Sequence, residues 1–153
     1  TIMNINFFMS LANKEALKAF DLKEIPIGAV LVDNNTKSVI SKAHNEVIKD
    51  NNSIKHAEII LINKACKKIN SRYLQDTSIF VTLEPCAMCA AAINEARITT
   101  LYFGAYDDKK GALESKKIYD KYFSPQIYGG INEVQCSTIL KKFFLKKRVS
   151  VGK

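Results

Sequence analysis

A chain of 153 residues is long enough to bury roughly two thirds of the surface exposed by its unfolded form, so one domain spanning residues 1–153 with a proper core is expected. With 47% hydrophobic and 25% charged residues, the composition excludes whole-chain disorder, and no apolar run approaches membrane-spanning length. The net charge of +8 favours a polyanionic partner through long-range attraction and counterion release. Residues 1–10 carry no basic group before their apolar positions and no small-residue cleavage pattern, so they do not read as a secretory signal. A cytoplasmic protein is expected, and in a reducing compartment the four cysteines do not read as a disulfide framework.

In chain order, Phe8, Met9, Ala12, Ala16, Ala19 and Phe20 recur at helical spacing and predict a first helix over about 4–20, its alanine-rich seam suited to lying close on a sheet. Pro26 is followed by the apolar run Ile27-Gly28-Ala29-Val30-Leu31-Val32, read as a strand buried on both faces. Gly28 marks either a bulge or close approach to the backbone, by substrate or by a packed helix. Asp33-Asn34-Asn35-Thr36 is a turn and 38–44 a returning strand, giving an antiparallel hairpin. A polar loop over 45–55 leads to a helix starting at His56, with Ile59, Ile62, Cys66 and Ile69 as its inward stripe and Glu58 on the same side. A buried unpaired carboxylate is costly, so Glu58 needs a partner or a task.

Residues 79–83 read as a strand, Cys86–Arg97 as an alanine-rich helix and 98–103 as a strand, a β-α-β unit whose strands should run parallel. A polar loop over 104–111 follows, then one short helix within 112–124 and a short strand at Gln126-Ile127-Tyr128. Asn132-x-x-Gln135 resembles a capping box opening a final helix, with the stripe Cys136, Ile139, Leu140 and Phe143 and the basic end Lys146-Lys147-Arg148. Cys66 and Cys136, each within an apolar helical pattern, read as small core residues.

The chemistry concentrates in His56-Ala57-Glu58 and Pro85-Cys86-Ala87-Met88-Cys89. Alone, a histidine here reads as a core or capping residue, and a Cys-x-x-Cys pair as redox or structural zinc. Together, an imidazole and two thiolates three residues apart supply three zinc ligands and leave a fourth position open, where a bound water loses its proton near neutral pH. Cys86 and Cys89 fall one turn apart at a helix N-terminus, which favours thiolates, and Pro85 suits a helix start. Glu58 is two positions from His56, about 200° around a helix, and so is expected to face the attacking water as a proton shuttle. A structural zinc site wants a fourth Cys or His, and His44, Cys66 and Cys136 lack ligand spacing. The pattern is that of hydrolytic deamination of a nucleobase.

On these motifs, together with Pro26-Ile27-Gly28-Ala29-Val30, Asn45, the stretch Gly104-Ala105-x-Asp107-x-Lys109-x-Gly111-Ala112 and Phe143-Phe144, nearly the whole chain resembles the bacterial tRNA-specific adenosine deaminases of the cytidine deaminase-like superfamily. The resemblance implies a three-layer α/β/α fold on a five-stranded mixed sheet, a homodimer with one zinc per subunit, and conversion of the wobble adenosine to inosine in the anticodon stem-loop of an arginine tRNA. It also implies His56, Cys86 and Cys89 as ligands and Glu58 as proton shuttle. Asn45 would hydrogen-bond the flipped base, Val30, Ala57 and Leu83 would wall its pocket, Asp107 and Lys109 would hold the neighbouring nucleotide backbone, and Phe144 with the basic tail would meet the anticodon loop. Taken alone, Asn45 reads as a turn residue, Asp107 and Lys109 as solvated and Phe144 as core. Two stretches depart from the family: Leu145-Lys146-Lys147-Arg148 replaces an arginine-rich ending, and 113–124, with Lys116, Lys117 and Lys121, match it poorly. The rival readings are a small-molecule deaminase acting on guanine, cytosine or deoxycytidylate with the same zinc core, and a non-catalytic zinc module, which has no use for Glu58.

Overall fold

A computed structural model of the protein describes residues 2–118 and 122–151. Its elements in order are α1 (Ile5–Asp21), β1 (Gly28–Asp33), β2 (Val39–His44), α2 (Ala57–Ile69), β3 (Thr77–Leu83), α3 (Ala87–Glu95), β4 (Thr100–Ala105), β5 (Gln126–Tyr128) and α4 (Glu133–Val151). The five strands form one mixed sheet in the order β2-β1-β3-β4-β5. β1 is antiparallel to β2 and β3, whereas β3, β4 and β5 are parallel, so the expected five-stranded mixed sheet, hairpin and β-α-β unit are all present. Among the described residues no helix is long and apolar enough to cross a membrane.

Two cores make the three layers. One face of the sheet packs Ala29, Leu31, Ile79, Val81 and Leu101 under α2 and α3, which contribute Ala57, Leu61, Ala65, Ala90 and Ile93. The other packs Val30, Val32 and Phe80 under α1 and α4 through Phe8, Met9, Ala12 and Cys136. β1, in contact with neighbours on both edges and both faces, is buried along almost its whole length, which is why its sequence is apolar without alternation.

The predicted seam of α1 is buried at Phe8, Met9, Ala12, Ala16 and Ala19, and Asn4 opens the helix by accepting the Phe7 N–H. Of the two readings of Gly28, helix packing is the correct one. A Cβ there would lie 2.1 Å from the Ala12 carbonyl oxygen and 2.5 Å from the Ala16 nitrogen, whereas the irregularity of the strand lies between Leu31 and Val32. The obstructing atoms are helix backbone and cannot rotate away. Gly28→Ala therefore has to push α1 off the sheet, and a loss of about 3 kcal/mol is expected, measurable as a lower urea midpoint. At the far end of the hairpin, Asp33 accepts the N–H groups of Asn35 and Thr36, the turn that its Asp-Asn-Asn-Thr sequence predicts.

Other expectations need correction. The inward face of α2 is carried by Ala57, Ile60, Leu61 and Ala65, while Ile59, Ile62 and Cys66 are half-buried and Ile69 is 43% exposed. Alanines at both ends let the axis lie close to the sheet, and Ile60 and Leu61 fill the space between them. Pro85 precedes the first residue of α3 by two positions, with Cys86 at the cap. Asn132 is not an N-cap of capping-box type: its φ is 50°, and its amide donates to the Asn6 carbonyl. Residues 112–118 form turns, not a helix, and residues 119–121 of that prediction, including Lys121, lie outside the described residues. Cys136 is buried against Gly104, where a Cβ would lie 2.3 Å from its sulfur, and burial pushes its thiol up to about 11; both fit its reading as a core residue.

Strand direction decides what meets at one end of the sheet. Because β1 is antiparallel to both neighbours, its first residues lie beside the ends of β2 and β3: Gly28 pairs with His44, and Ala29 with Val81. The end of β4 joins them, with Ala105 opposite Leu83. Asn45, Glu84, Cys86 and Asp107 all follow these strand ends, where open α/β sheets place their sites.

Candidate metal and active site

His56 is the N-cap residue of α2, with an extended backbone (φ −73°, ψ 153°) and no side-chain capping bond. The capping alternative for its ring is thereby ruled out. Cys86 occupies the corresponding position at α3, also extended (φ −72°, ψ 174°), and Cys89 follows in the first turn. Two helix starts thus converge at the strand ends. His56 Nδ1 lies 3.7 Å from Cys86 Sγ and 3.5 Å from Cys89 Sγ, and the three donor atoms all fall within 4.8 Å of one another. Tetrahedral zinc with its usual bonds to nitrogen and sulfur holds such donors about 3.6 Å apart, so the separations fit the metal.

Glu58 lies in the first turn of α2 and is 4% exposed. Burial is the largest cause that pushes its carboxyl up to about 7, the neighbouring Cys86 adds to the rise, and His56 and a bond with Cys89 oppose it. The expectation that the helix begins at His56 is therefore off by one residue. With His56 outside the helix and extended, ring and carboxylate reach the same site and do not diverge by 200°. The hydrogen bond with Cys89 pulls the Cys86 thiol down to about 4, while Cys89 is driven up by that same bond, by burial and by the Glu58 charge. His56 is raised, chiefly by its bond with Cys86. Two thiols and a carboxylate crowded together share protons because all three cannot ionise without a cation among them, the setting in which a bound dication is favoured.

Around this centre, Asn45 is buried and its Oδ1 accepts the Ala57 N–H at 2.8 Å. This bond fixes the amide orientation, and Nδ2 donates to no protein atom among the described residues. Ala57 is buried at the first position of α2, Leu83 is half-buried at the end of β3, and Val30 is fully buried in the core under α1. Asp107 is half-buried, and its Oδ1 accepts the N–H groups of Lys109 and Lys110, closing a turn that leaves both lysines exposed. The Lys110 ammonium is close enough to lower the pKa of His56, which places this turn beside the donor group. Phe144 is 41% exposed, resting edge-on against Phe143, which packs on Phe20. It is not a core residue.

Two acidic residues escaped the sequence reading. Glu24, 2% exposed, accepts the N–H groups of Ile48 and Lys49 and so fastens the loop before His56. Glu84, also 2% exposed, binds the loop after β4. The available signal was a carboxylate bordering an apolar strand: Glu24 stands just before the run that contains β1, and Glu84 follows β3 directly.

Residues 3–105 match the family model of the cytidine and deoxycytidylate deaminase zinc-binding region, so the fold and donor group are those of a nucleobase or nucleotide deaminase class. The tRNA-specific adenosine deaminase of Rickettsia felis is 46% identical over 144 residues, covering 92% of this chain and 100% of that protein. A solved tRNA:A34 deaminase is 42% identical with a TM-score of 0.83, covering 88% of this chain and 99% of its own. The chain belongs to the tRNA-specific adenosine deaminase family. A guanine deaminase structure from Bacillus subtilis is similar at 31% identity and a TM-score of 0.65, covering 80% of this chain and 79% of its own.

Proposed function

We propose that this protein is a single-domain zinc deaminase that converts adenosine to inosine at the wobble position of a tRNA anticodon, with an arginine tRNA as substrate. The observation that carries the reading is the buried Glu58 carboxyl set against a His56–Cys86–Cys89 group with zinc-like separations. His56, Cys86 and Cys89 would hold one zinc ion per subunit; when bound, it supplies Lewis acidity at neutral pH. Glu58, a buried carboxyl, is placed to relay both protons of the attacking water in turn, the first to the ring nitrogen of the base, where it stays, and the second from the newly added hydroxyl to the departing amine. Water and adenosine give inosine and ammonia, so the proton inventory closes within one carboxyl group.

Asn45 would offer Nδ2 to an acceptor on the flipped base, in an orientation set by its bond to Ala57. Ala57 and Leu83 would wall the pocket, with Val30 supporting it from the core. Asp107 and Lys109 would hold the neighbouring nucleotide, the ammonium suiting a phosphate and the carboxylate a ribose hydroxyl. The exposed Phe144, among lysines, would stack on an unpaired base of the anticodon loop. The exposed Ile48 and Ile54, in one loop, support a homodimer, and a cytoplasmic location accompanies a tRNA substrate; sedimentation of the purified chain reads the first.

The deciding experiment incubates zinc-loaded protein with a transcribed arginine tRNA bearing adenosine at the wobble position, and in parallel with free adenosine, guanine and cytosine. Inosine in the tRNA alone is expected. Turnover of guanine or cytosine in place of the tRNA would move the protein to the small-molecule branch, a second reading that the resemblance to the guanine deaminase favours. The net charge of +8 adds a separate expectation: the logarithm of RNA affinity should fall with the logarithm of salt concentration with a slope of about −0.7 per neutralised phosphate. A flat response in a filter-binding titration would remove the electrostatic support.

A further inference from the structure

Glu84 lies between the strand that ends beside the site and the turn that begins it, and it has no place in the chemistry proposed above. Its side chain is 2% exposed. One carboxylate oxygen accepts the Asp107 N–H and the Ser115 hydroxyl, and the other accepts the N–H groups of Leu113, Glu114 and Ser115 at 3.2, 2.9 and 2.9 Å. Five donors thus converge on one carboxylate, four of them backbone amides of the loop that follows β4. No neutral side chain could replace it, because none carries that many lone pairs in one place.

The loop is held close enough that Gly111 is obligatory. A Cβ at Gly111 would lie 2.4 Å from both Cδ and Oε1 of Glu84. The adjoining Pro85 carbonyl accepts the Ala112 N–H, and the Glu84 N–H reaches the Ala105 carbonyl. The segment immediately before Cys86 is therefore attached at several points to residues 105–115, with Asp107 at one end of the attachment. Asp107 in turn closes the turn that presents Lys109 and Lys110.

We propose that Glu84 is a positioning residue for the nucleic-acid substrate: its buried carboxylate locks the 107–115 loop onto the turn preceding Cys86, so that Asp107 and Lys109 are held at a set distance from the reacting base. The inference rests on the functional reading above, in which those two residues hold the neighbouring nucleotide. Because they touch the neighbour and not the reacting ring, loosening them weakens binding in the ground and transition states alike, which appears in KM before kcat.

The test is steady-state deamination of an anticodon stem-loop by the zinc-loaded wild type, Glu84→Gln, Lys109→Ala and the double variant, with zinc content and amide hydrogen exchange measured on each. Glutamine keeps the shape but replaces one acceptor oxygen with a donor. KM should rise about tenfold with kcat and zinc retained, exchange should quicken at Leu113, Glu114 and Ser115, and Lys109→Ala should add little to Glu84→Gln. An unchanged KM in an active Glu84→Gln, or a fall in zinc content and kcat at constant KM, overturns the inference and leaves Glu84 a purely structural residue. A wild type that leaves the stem-loop unmodified instead sinks the functional reading, and this inference with it. Should Glu84→Gln fail to fold, Ser115→Ala removes only one side-chain donor: a smaller rise in KM supports the positioning role and none refutes it.

Discussion

Glu58→Gln lowers deamination by about 10²–10⁴-fold while the protein keeps its zinc and its fold. The loss follows from what glutamine cannot do: it preserves the volume at a site only 4% exposed but neither accepts nor returns a proton. The same substitution gives an expected result in the metal-free protein. Burial raises the folded pKa of Glu58 from 4.5 to about 7, so between those values the folded chain holds a proton that the unfolded chain has released. The contribution is fully present below 4.5 and is lost as pH rises through about 7. Wild-type stability should therefore decline across that window more than the stability of Glu58→Gln, whose amide does not titrate. Thermal melts of both metal-free proteins over the window read the difference. Parallel curves would mean that the carboxyl is not held in the environment described, and an active Glu58→Gln would remove it from the chemistry.

Stripping zinc with a chelator, or replacing His56 by alanine, is expected to lower the melting temperature by about 10 °C and abolish activity. A ligand present at about a thousand times its dissociation constant stabilises a protein by about 4 kcal/mol, and each kcal/mol moves the melting point of a chain this size by about 2–4 °C. These three side chains come from two helix starts, at His56 and at Cys86 with Cys89, so a metal held there would cross-link α2 to α3 as well as supply chemistry. Without it, the Cys86–Cys89 pair and Glu58 are left competing for protons in a largely buried space. Restoring zinc should restore both melting point and activity to the wild type, whereas His56→Ala should recover neither. A melting point indifferent to chelation would mean that these residues hold no metal.

Much of this site was readable in the chain because its chemistry is local. His56 and Glu58 are two positions apart, Cys86 and Cys89 three, and ligand spacing of that kind survives errors of a residue in where a helix starts. The start of α2 shows it: the helix begins at Ala57, not His56, and the shift alters the geometry that brings ring and carboxylate together without changing either residue's identity. The hairpin, the parallel pair and the buried face of α1 were legible for the same reason, since period and turn chemistry repeat within a few residues. Less legible was α2, whose contact face combines Ala57 and Ala65 with Ile60 and Leu61 while Ile59, Ile62 and Ile69 lie outside it.

What the chain alone determined, then, is the inventory: the His56, Cys86 and Cys89 group, the nearby Glu58 carboxylate, the net positive charge and the order of strands and helices apart from the helix expected within 112–124. What the tertiary structure decided is everything that depends on residues far apart in sequence. Gly28 exists for Ala12 and Ala16 of α1, Phe144 is exposed although Phe143 beside it packs on Phe20, and Glu84 serves amides more than twenty positions away. The physical reason is that a carboxylate is costly to bury until donors surround it, and which donors surround Glu84 is settled by the parallel pairing of β3 with β4, a long-range register written in no local pattern.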